Sequence, residues 1–291
     1  MIRIGTRGSL LATTQSGIIR DKIREAGNPC ELEIITTPGD IHQGPVDRIG
    51  VGVFTQALRE AMAEGRCDVA VHSFKDLPTA PDERFVLIVP EREDPREALV
   101  ARDGLTLAEL PAGAKVGTSA PRRVGQLRAL RPDIDIRPLR GNVDTRIGKV
   151  TSGELDAVIL AAAGLNRLGR LGEATEIFDP EYFMPAPAQG ALAVEATPDY
   201  ARFVLPLLDA NAAARATAER AILATMQAGC TAPIAAFSEI KGEELHLRAG
   251  VFGENGKLVM EGTGPVNAAY SLGEELGQKL IAAGARNLYS D

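Results

Sequence analysis

The sequence predicts two α/β domains with mainly parallel sheets, followed by a small C-terminal α+β domain with a three-stranded antiparallel sheet. Three observations support this. Strand-like apolar runs alternate with helical patterns through about residue 195, the grammar of parallel sheets covered by helices. Two proline-bearing segments, Glu91-Arg92-Glu93-Asp94-Pro95-Arg96 and Phe183-Met184-Pro185-Ala186-Pro187, interrupt that alternation as interdomain crossovers do. From Ala212 the pattern changes to an Ala-rich helix and three strand-like runs.

The elements follow in order. Ile2 to Ile4 reads as a strand, and Ser9 as the N-cap of a helix to Ala26 that Gly27 stops. Leu32 to Thr36 is a strand, Pro38 to Val53 a Gly-rich loop, and Phe54 to Glu64 a helix. Cys67 to Val71 and Phe85 to Val89 are strands. Past the first crossover, Ala98 to Ala101, Lys115 to Val116, Ile134 to Ile136 and Ala157 to Leu160 are strands. Pro121 to Arg131 and Val143 to Ser152 are helices, the second capped by Asn142. Ala191 to Val194 is a strand after the second crossover, and its return to the first sheet would make that domain discontinuous. The tail holds a helix from Ala212 to Met226 stopped by Gly229. Strands follow at Ile234 to Ile240, Leu245 to Phe252 and Leu258 to Glu261, with turns at Gly242 and Gly253 to Gly256. Asn267 is expected to cap a last helix, Ala268 to Ala283, stopped by Gly284. The expected domains are 1–91 with 188–208, then 96–184, then 212–291.

Composition narrows the function classes. The 291 residues are 45% hydrophobic and 24% charged, as in ordinary globular chains, which excludes whole-chain disorder, collagen and coiled coil. A net charge of −7 argues against a general nucleic-acid binder. Of 32 basic residues, 25 are Arg and 7 are Lys, and Arg is the side chain that grips carboxylates bidentately. GC-rich coding gives the same bias. No run approaches the roughly 20 apolar residues of a membrane span. The N-terminus lacks the pattern of a signal peptide. Cys30, Cys67 and Cys230 are far apart, and His42, His72 and His246 form no metal-ligand pattern. A reduced, cytoplasmic protein without a metal is expected.

Two turns echo each other. Ile4-Gly5-Thr6-Arg7-Gly8-Ser9 and Val116-Gly117-Thr118-Ser119-Ala120-Pro121-Arg122 each read as strand, Gly-Thr turn and helix start. Such a turn aims backbone N–H groups, a hydroxyl and a guanidinium at one spot, a ready anion site. Two α/β domains carrying such turns predict an anion-lined cleft. Arg7, Lys75, Arg122, Arg123, Arg140, Arg146 and Arg167 all fall at strand ends or helix starts, where open α/β sheets bind ligands. For any one of them, a solvated surface ion pair is the competing explanation. Asp76 follows a buried strand beside Lys75. It is either a general acid/base or a turn residue before Pro78. Cys230, on a Gly/Pro-bounded loop, is either a nucleophile or attachment point, or a small buried hydrophobe.

Together these motifs resemble the porphobilinogen deaminase (hydroxymethylbilane synthase) family over essentially the whole chain. They are Thr6-Arg7-Gly8-Ser9, Ala70-Val71-His72-Ser73-Phe74-Lys75-Asp76, Glu91 to Arg96, Gly117-Thr118-Ser119 with Arg122-Arg123, Leu139 to Arg146, Ala163 to Gly169, Pro187-Ala188-Gln189-Gly190 and Gly229-Cys230. The resemblance implies two periplasmic-binding-protein-like α/β domains and a monomeric, cytoplasmic transferase of tetrapyrrole (heme) biosynthesis. Four porphobilinogen molecules would condense head to tail with loss of ammonia, and water would release hydroxymethylbilane.

The same resemblance implies residue roles. Asp76 would be catalytic. A dipyrromethane cofactor would be held covalently by Cys230 through a thioether, with Lys75, Asp76, Ser119, Arg122, Arg123, Arg146 and Gly190 around it. Arg7, Ser9, Gln15, Arg140, Arg146, Arg167 and Gln189 would bind substrate. The loop from Pro45 to Phe54 would be a lid, with Arg48 and Phe54 its contacts. Here Asp47 and Val51 stand where many members carry lysines. The alternative is a non-enzymatic, two-lobed anion-binding protein.

Overall fold

The computed structural model describes residues 1–36, 53–229 and 231–289. Arg48, the rest of the expected lid up to Gly52, Cys230 and the side chain of Phe54 lie outside the described residues. The chain forms two compact units, Met1–Glu93 with Ala191–Ala213, and Asp94–Gly190 with Ala214–Asp291.

In chain order, the first unit begins with β1 (Ile2–Thr6), α1 (Leu10–Glu25), β2 (Cys30–Ile34), α2 (Val53–Ala63), β3 (Val69–Ser73) and β4 (Val86–Ile88). The second supplies β5 (Glu97–Ala101), β6 (Lys115–Gly117), α3 (Pro121–Leu130), β7 (Asp135–Arg137), α4 (Val143–Thr151), β8 (Ala157–Ala161), α5 (Ala162–Arg167) and β9 (Glu176–Ile177). The chain then returns to the first unit through β10 (Leu192–Ala196) and α6 (Ala201–Val204). Finally α7 (Ala210–Thr225), β11 (Ile234–Lys241), β12 (Glu244–Gly253), β13 (Gly256–Pro265) and α8 (Ala269–Ala282) complete it.

The first sheet has the order β2-β1-β3-β10-β4 and the second β7-β6-β8-β5-β9. Both are mixed. β1 runs parallel to β2 and β3, but β10 runs antiparallel to β3 and β4. Likewise β6 runs parallel to β7 and β8, and β5 antiparallel to β8 and β9. In each sheet the reversed strand is the one that follows a crossover segment. Both reversed strands are buried along their whole length. The third sheet, β11-β12-β13, is antiparallel throughout. Its core joins Ile222, Leu247, Leu276 and Leu280 from two helices and the sheet.

Local rules explain most element ends. Ser9 caps α1 by accepting from the Ala12 amide, and Asn142 caps α4 by accepting from the Thr145 amide. Two expectations are corrected. Asn267 lies within a 3-10 turn, Val266–Ala268, so Ala268 is the residue preceding α8. Helix α7 ends through Gln227, at φ 53, rather than through Gly229. The amides of Gln227 and Ala228 return to the carbonyls of Ala224 and Leu223, the hydrogen-bond pattern of a Schellman turn.

Helix α3 packs directly on β12, and the contact depends on Gly125. A Cβ there would lie 1.9 Å from the Phe252 carbonyl oxygen. Because backbone rather than a flexible side chain fills that space, Gly125→Ala is expected to destabilise by about 3 kcal/mol. By contrast, Gly148 in α4 has nothing near its Cβ position, so Gly148→Ala is expected to stabilise by about 0.5–1 kcal/mol. Urea unfolding of both variants checks the pair.

Candidate active site

The parallel strands deliver most candidate residues to their carboxyl ends, as open α/β sheets do. In the first unit, β1 ends at Thr6, and the half-buried Arg7 and exposed Ser9 follow. Its neighbour β3 ends at Ser73, and a 3-10 turn, Phe74–Asp76, presents half-buried Lys75 and exposed Asp76. Gln15, buried on α1, ties the two elements together: its Nε2 donates to Ser73 Oγ at 3.0 Å.

In the second unit, β6 leads into Ser119, β7 into exposed Arg140, and β8 into α5 with half-buried Arg167. Ser119 does not cap its helix. Its Oγ donates to the Leu139 carbonyl at 3.0 Å and accepts from the Leu139 amide at 2.8 Å. This ties the turn after β6 to the segment carrying Arg140. Arg146 Nε donates to the Gly141 carbonyl at 2.8 Å. Burial, then repulsion from Arg123, lowers the Arg146 pKa below the ordinary arginine value. Arg167 Nη2 donates to the Gly190 carbonyl at 2.6 Å.

Two expected ligand residues have internal partners. Arg123 is 5% exposed, and its Nε and Nη2 donate to Glu97 while Nη1 donates to the Ile159 carbonyl. Gln189 is 0% exposed, and its Nε2 donates to the Pro95 and Arg96 carbonyls. Each is therefore held in a fixed orientation by internal acceptors. Arg122 is buried and shares Glu97 at 3.1 Å.

The sequence reading missed the buried acids behind these arginines. Glu97 is 0% exposed on β5 and Glu195 is 1% exposed on β10. Arg59 grips Glu195 with Nη2 at 2.6 Å, and His72 Nε2 lies 3.2 Å away, off a good hydrogen-bond line. The available signal was one charge inside an apolar strand: Glu97 begins Glu-Ala-Leu-Val-Ala, and Glu195 interrupts Leu-Ala-Val-Glu-Ala.

A cavity of about 830 Å³ in the second unit is lined by Gly229 and Thr231, which flank position 230, and by Ser119, Arg128, Phe252 and Arg286. Small-molecule sites span about 300–1,000 Å³. The lining combines the guanidinium groups of Arg128 and Arg286, hydroxyls and an aromatic ring with the carboxylate of Glu254. Of the expected cofactor contacts it includes Ser119, while Lys75, Asp76, Arg122, Arg123, Arg146 and Gly190 lie outside it. Among the described residues, no cluster of His, Cys, Asp and Glu could hold a metal, and no helix is long and apolar enough to cross a membrane.

Comparison with known proteins decides the family. Residues 2–204 match the family model "Porphobilinogen deaminase, dipyromethane cofactor binding domain", and residues 213–282 match "Porphobilinogen deaminase, C-terminal domain". The chain belongs to the porphobilinogen deaminase family. Porphobilinogen deaminase of Corynebacterium aurimucosum is 60% identical over 99% of both chains. That of Corynebacterium glutamicum is 58% identical over 100% of this chain and 99% of its own. Among solved structures, a putative methionine-binding lipoprotein of Bacillus subtilis matches with TM-score 0.44 and 10% identity, over 71% of this chain and 89% of that one. Membership of this enzyme family displaces the two-lobed binding-protein alternative.

The Arg59 cluster in the first unit sets an acid limit. Burial alone would raise the Glu195 pKa, but His72 and Arg59 outweigh it and hold the carboxyl below the ordinary glutamate range. Asp82, 3.7 Å from Arg59, is held at about 2, chiefly by its hydrogen bond from Arg84. Both acids have lower pKa values folded than unfolded. Their stabilisation is present above about pH 4 and fades as pH falls through the lowered values. Urea midpoints are expected to fall between pH 5 and pH 3, and Glu195→Gln is expected to flatten part of that fall. An unchanged slope in the variant would remove Glu195 from the explanation.

Proposed function

We propose that the chain joins four porphobilinogen molecules head to tail, releases one ammonia at each step, and frees hydroxymethylbilane with water. The observation that carries this reading is the pair of family matches, which together span nearly the whole chain. Covalently bound dipyrromethane, attached through Cys230, supplies the starting point on which the product is assembled.

The protein's own groups then have distinct tasks. Each pyrrole brings acetate and propionate side chains. Arg7, Arg140, Arg146 and Arg167 bind these, with Ser9 and Gln15 assisting at the end of β1. The planar guanidinium matches a carboxylate bidentately, which a lysine ammonium does not. Lys75, Asp76, Ser119, Arg122, Arg123, Arg146 and Gly190 are the cofactor's contacts in this reading, and Gln189 assists in substrate binding. Loss of ammonia from porphobilinogen leaves positive charge shared onto the ring nitrogen. The carboxylate of Asp76, at the exposed end of its 3-10 turn, holds that charge where it develops. The working form is a cytoplasmic monomer, divided into domains at 1–91 with 188–208, 96–184 and 212–291.

Two measurements test this. Asp76→Asn is expected to retain substrate binding and lose at least about 100-fold in kcat, because a fixed charge acting on the transition state is removed. Near wild-type turnover would overturn the role of Asp76. Intact-protein mass is expected to exceed the sequence mass by two pyrrole units, and Cys230→Ser is expected to abolish the excess. An active protein of unmodified mass would rule out the anchor.

A further inference from the structure

The segment Phe183 to Gly190 is buried at every position, yet it forms neither helix nor strand. Its most constrained residue is Ala188, at φ 59, a region that residues with a Cβ seldom occupy. A side chain from helix α7 meets its amide. Glu219 is 0% exposed, and its Oε2 accepts the Ala188 amide at 2.7 Å. The other oxygen, Oε1, accepts the Ser238 hydroxyl from β11 at 2.6 Å. Glu219 thus joins three elements: the crossover segment, helix α7 and the C-terminal sheet.

Two residues beyond Ala188, Gly190 also has positive φ, at 84, and its carbonyl receives Arg167 Nη2 at 2.6 Å. Between them, the Gln189 amide returns to the Ala186 carbonyl at 3.0 Å. The Gly190 carbonyl therefore leaves a tight turn that contains two left-handed residues, Ala188 and Gly190. A left-handed alanine stays in place only while its surroundings over-determine it. The hydrogen bond from its amide to a buried carboxylate is the strong kind.

We propose that Glu219 is a positioning residue for substrate binding: by holding the Ala188 amide it fixes the left-handed turn that aims the Gly190 carbonyl, and through it the guanidinium of Arg167. The proposal rests on the reading that Arg167 binds a substrate carboxylate. Glu219 itself touches no substrate. Its effect is on affinity and not on the chemical step.

The test uses holoenzyme and two readouts. Glu219→Ala is expected to raise KM for porphobilinogen about tenfold, the scale of one strong hydrogen bond, with kcat within about twofold. Hydrogen exchange in the peptide from Ala186 to Ala191 should accelerate in the same variant. Combined with Arg167→Ala, Glu219→Ala should raise KM no further than Arg167→Ala alone, because both act through one guanidinium. Additive KM effects, a loss confined to kcat, or unchanged exchange in the turn would each overturn the proposal. If Arg167→Ala alone leaves KM unchanged, the substrate-binding reading of Arg167 fails. Exchange in the turn then still decides whether Glu219 holds Ala188. Should Glu219→Ala not fold, Glu219→Asp withdraws the carboxylate by one methylene and carries the same comparisons.

Discussion

The architecture depends on carboxylates that cannot reach water. Each α/β sheet contains one reversed strand, and each reversed strand carries a buried glutamate, Glu97 on β5 and Glu195 on β10. An isolated carboxylate in such a place would cost several kcal/mol, so a cationic partner must be fixed beside it. Arg123 and Arg59 fulfil that requirement. Once paired, the strand cannot slip by a residue without exposing its apolar face and stranding its charge. The register of both crossover-following strands is thereby fixed, and with it the segments that precede them.

Those segments carry little regular structure of their own, so their backbone groups need other partners. Side chains supply several. Gln126 donates to the Met184 carbonyl and accepts from the Met184 amide. The Pro185 carbonyl receives the amide of Ala236, from β11. Gln189 reaches the Pro95 and Arg96 carbonyls, and so links the residues that follow one crossover to the end of the other. A proline-rich stretch that reads as a linker is consequently as well anchored as a strand. Close packing at Gly125 adds to this, since α3 carries both Arg122 and Gln126 and rests against β12 without a side chain between.

Much of this was legible in sequence. Alternation of apolar runs located the strands, and Ser9 and Asn142 marked true helix starts because capping is a local interaction between neighbours in the chain. The carboxyl-end placement of Arg7, Asp76, Ser119, Arg140 and Arg167 followed from the α/β grammar alone. The internal partners of Arg123 and Gln189 are not legible in sequence, because Glu97 and the carbonyls of Pro95 and Arg96 lie far away along the chain. The end of α7 was misjudged because glycine is the usual left-handed terminator. Gln227 adopts that conformation here, two positions before the glycine that sequence rules would choose.

The preference for arginine over lysine now divides into separate causes. Some guanidiniums are internal struts. Arg59 and Arg123 grip buried glutamates, and Arg131 donates to the carbonyls of Leu107 and Leu110. A lysine offers one point of charge and cannot span several acceptors at once, so these positions demand the planar fork. Arg146 is different. It sits close enough to Arg123 for repulsion and burial together to lower its pKa. Glu97 accepts from both the Arg122 and the Arg123 guanidinium. Arg146 thus stands where its charge is disfavoured, and a carboxylate bound beside it would offset that cost, in the bidentate geometry that a planar guanidinium offers.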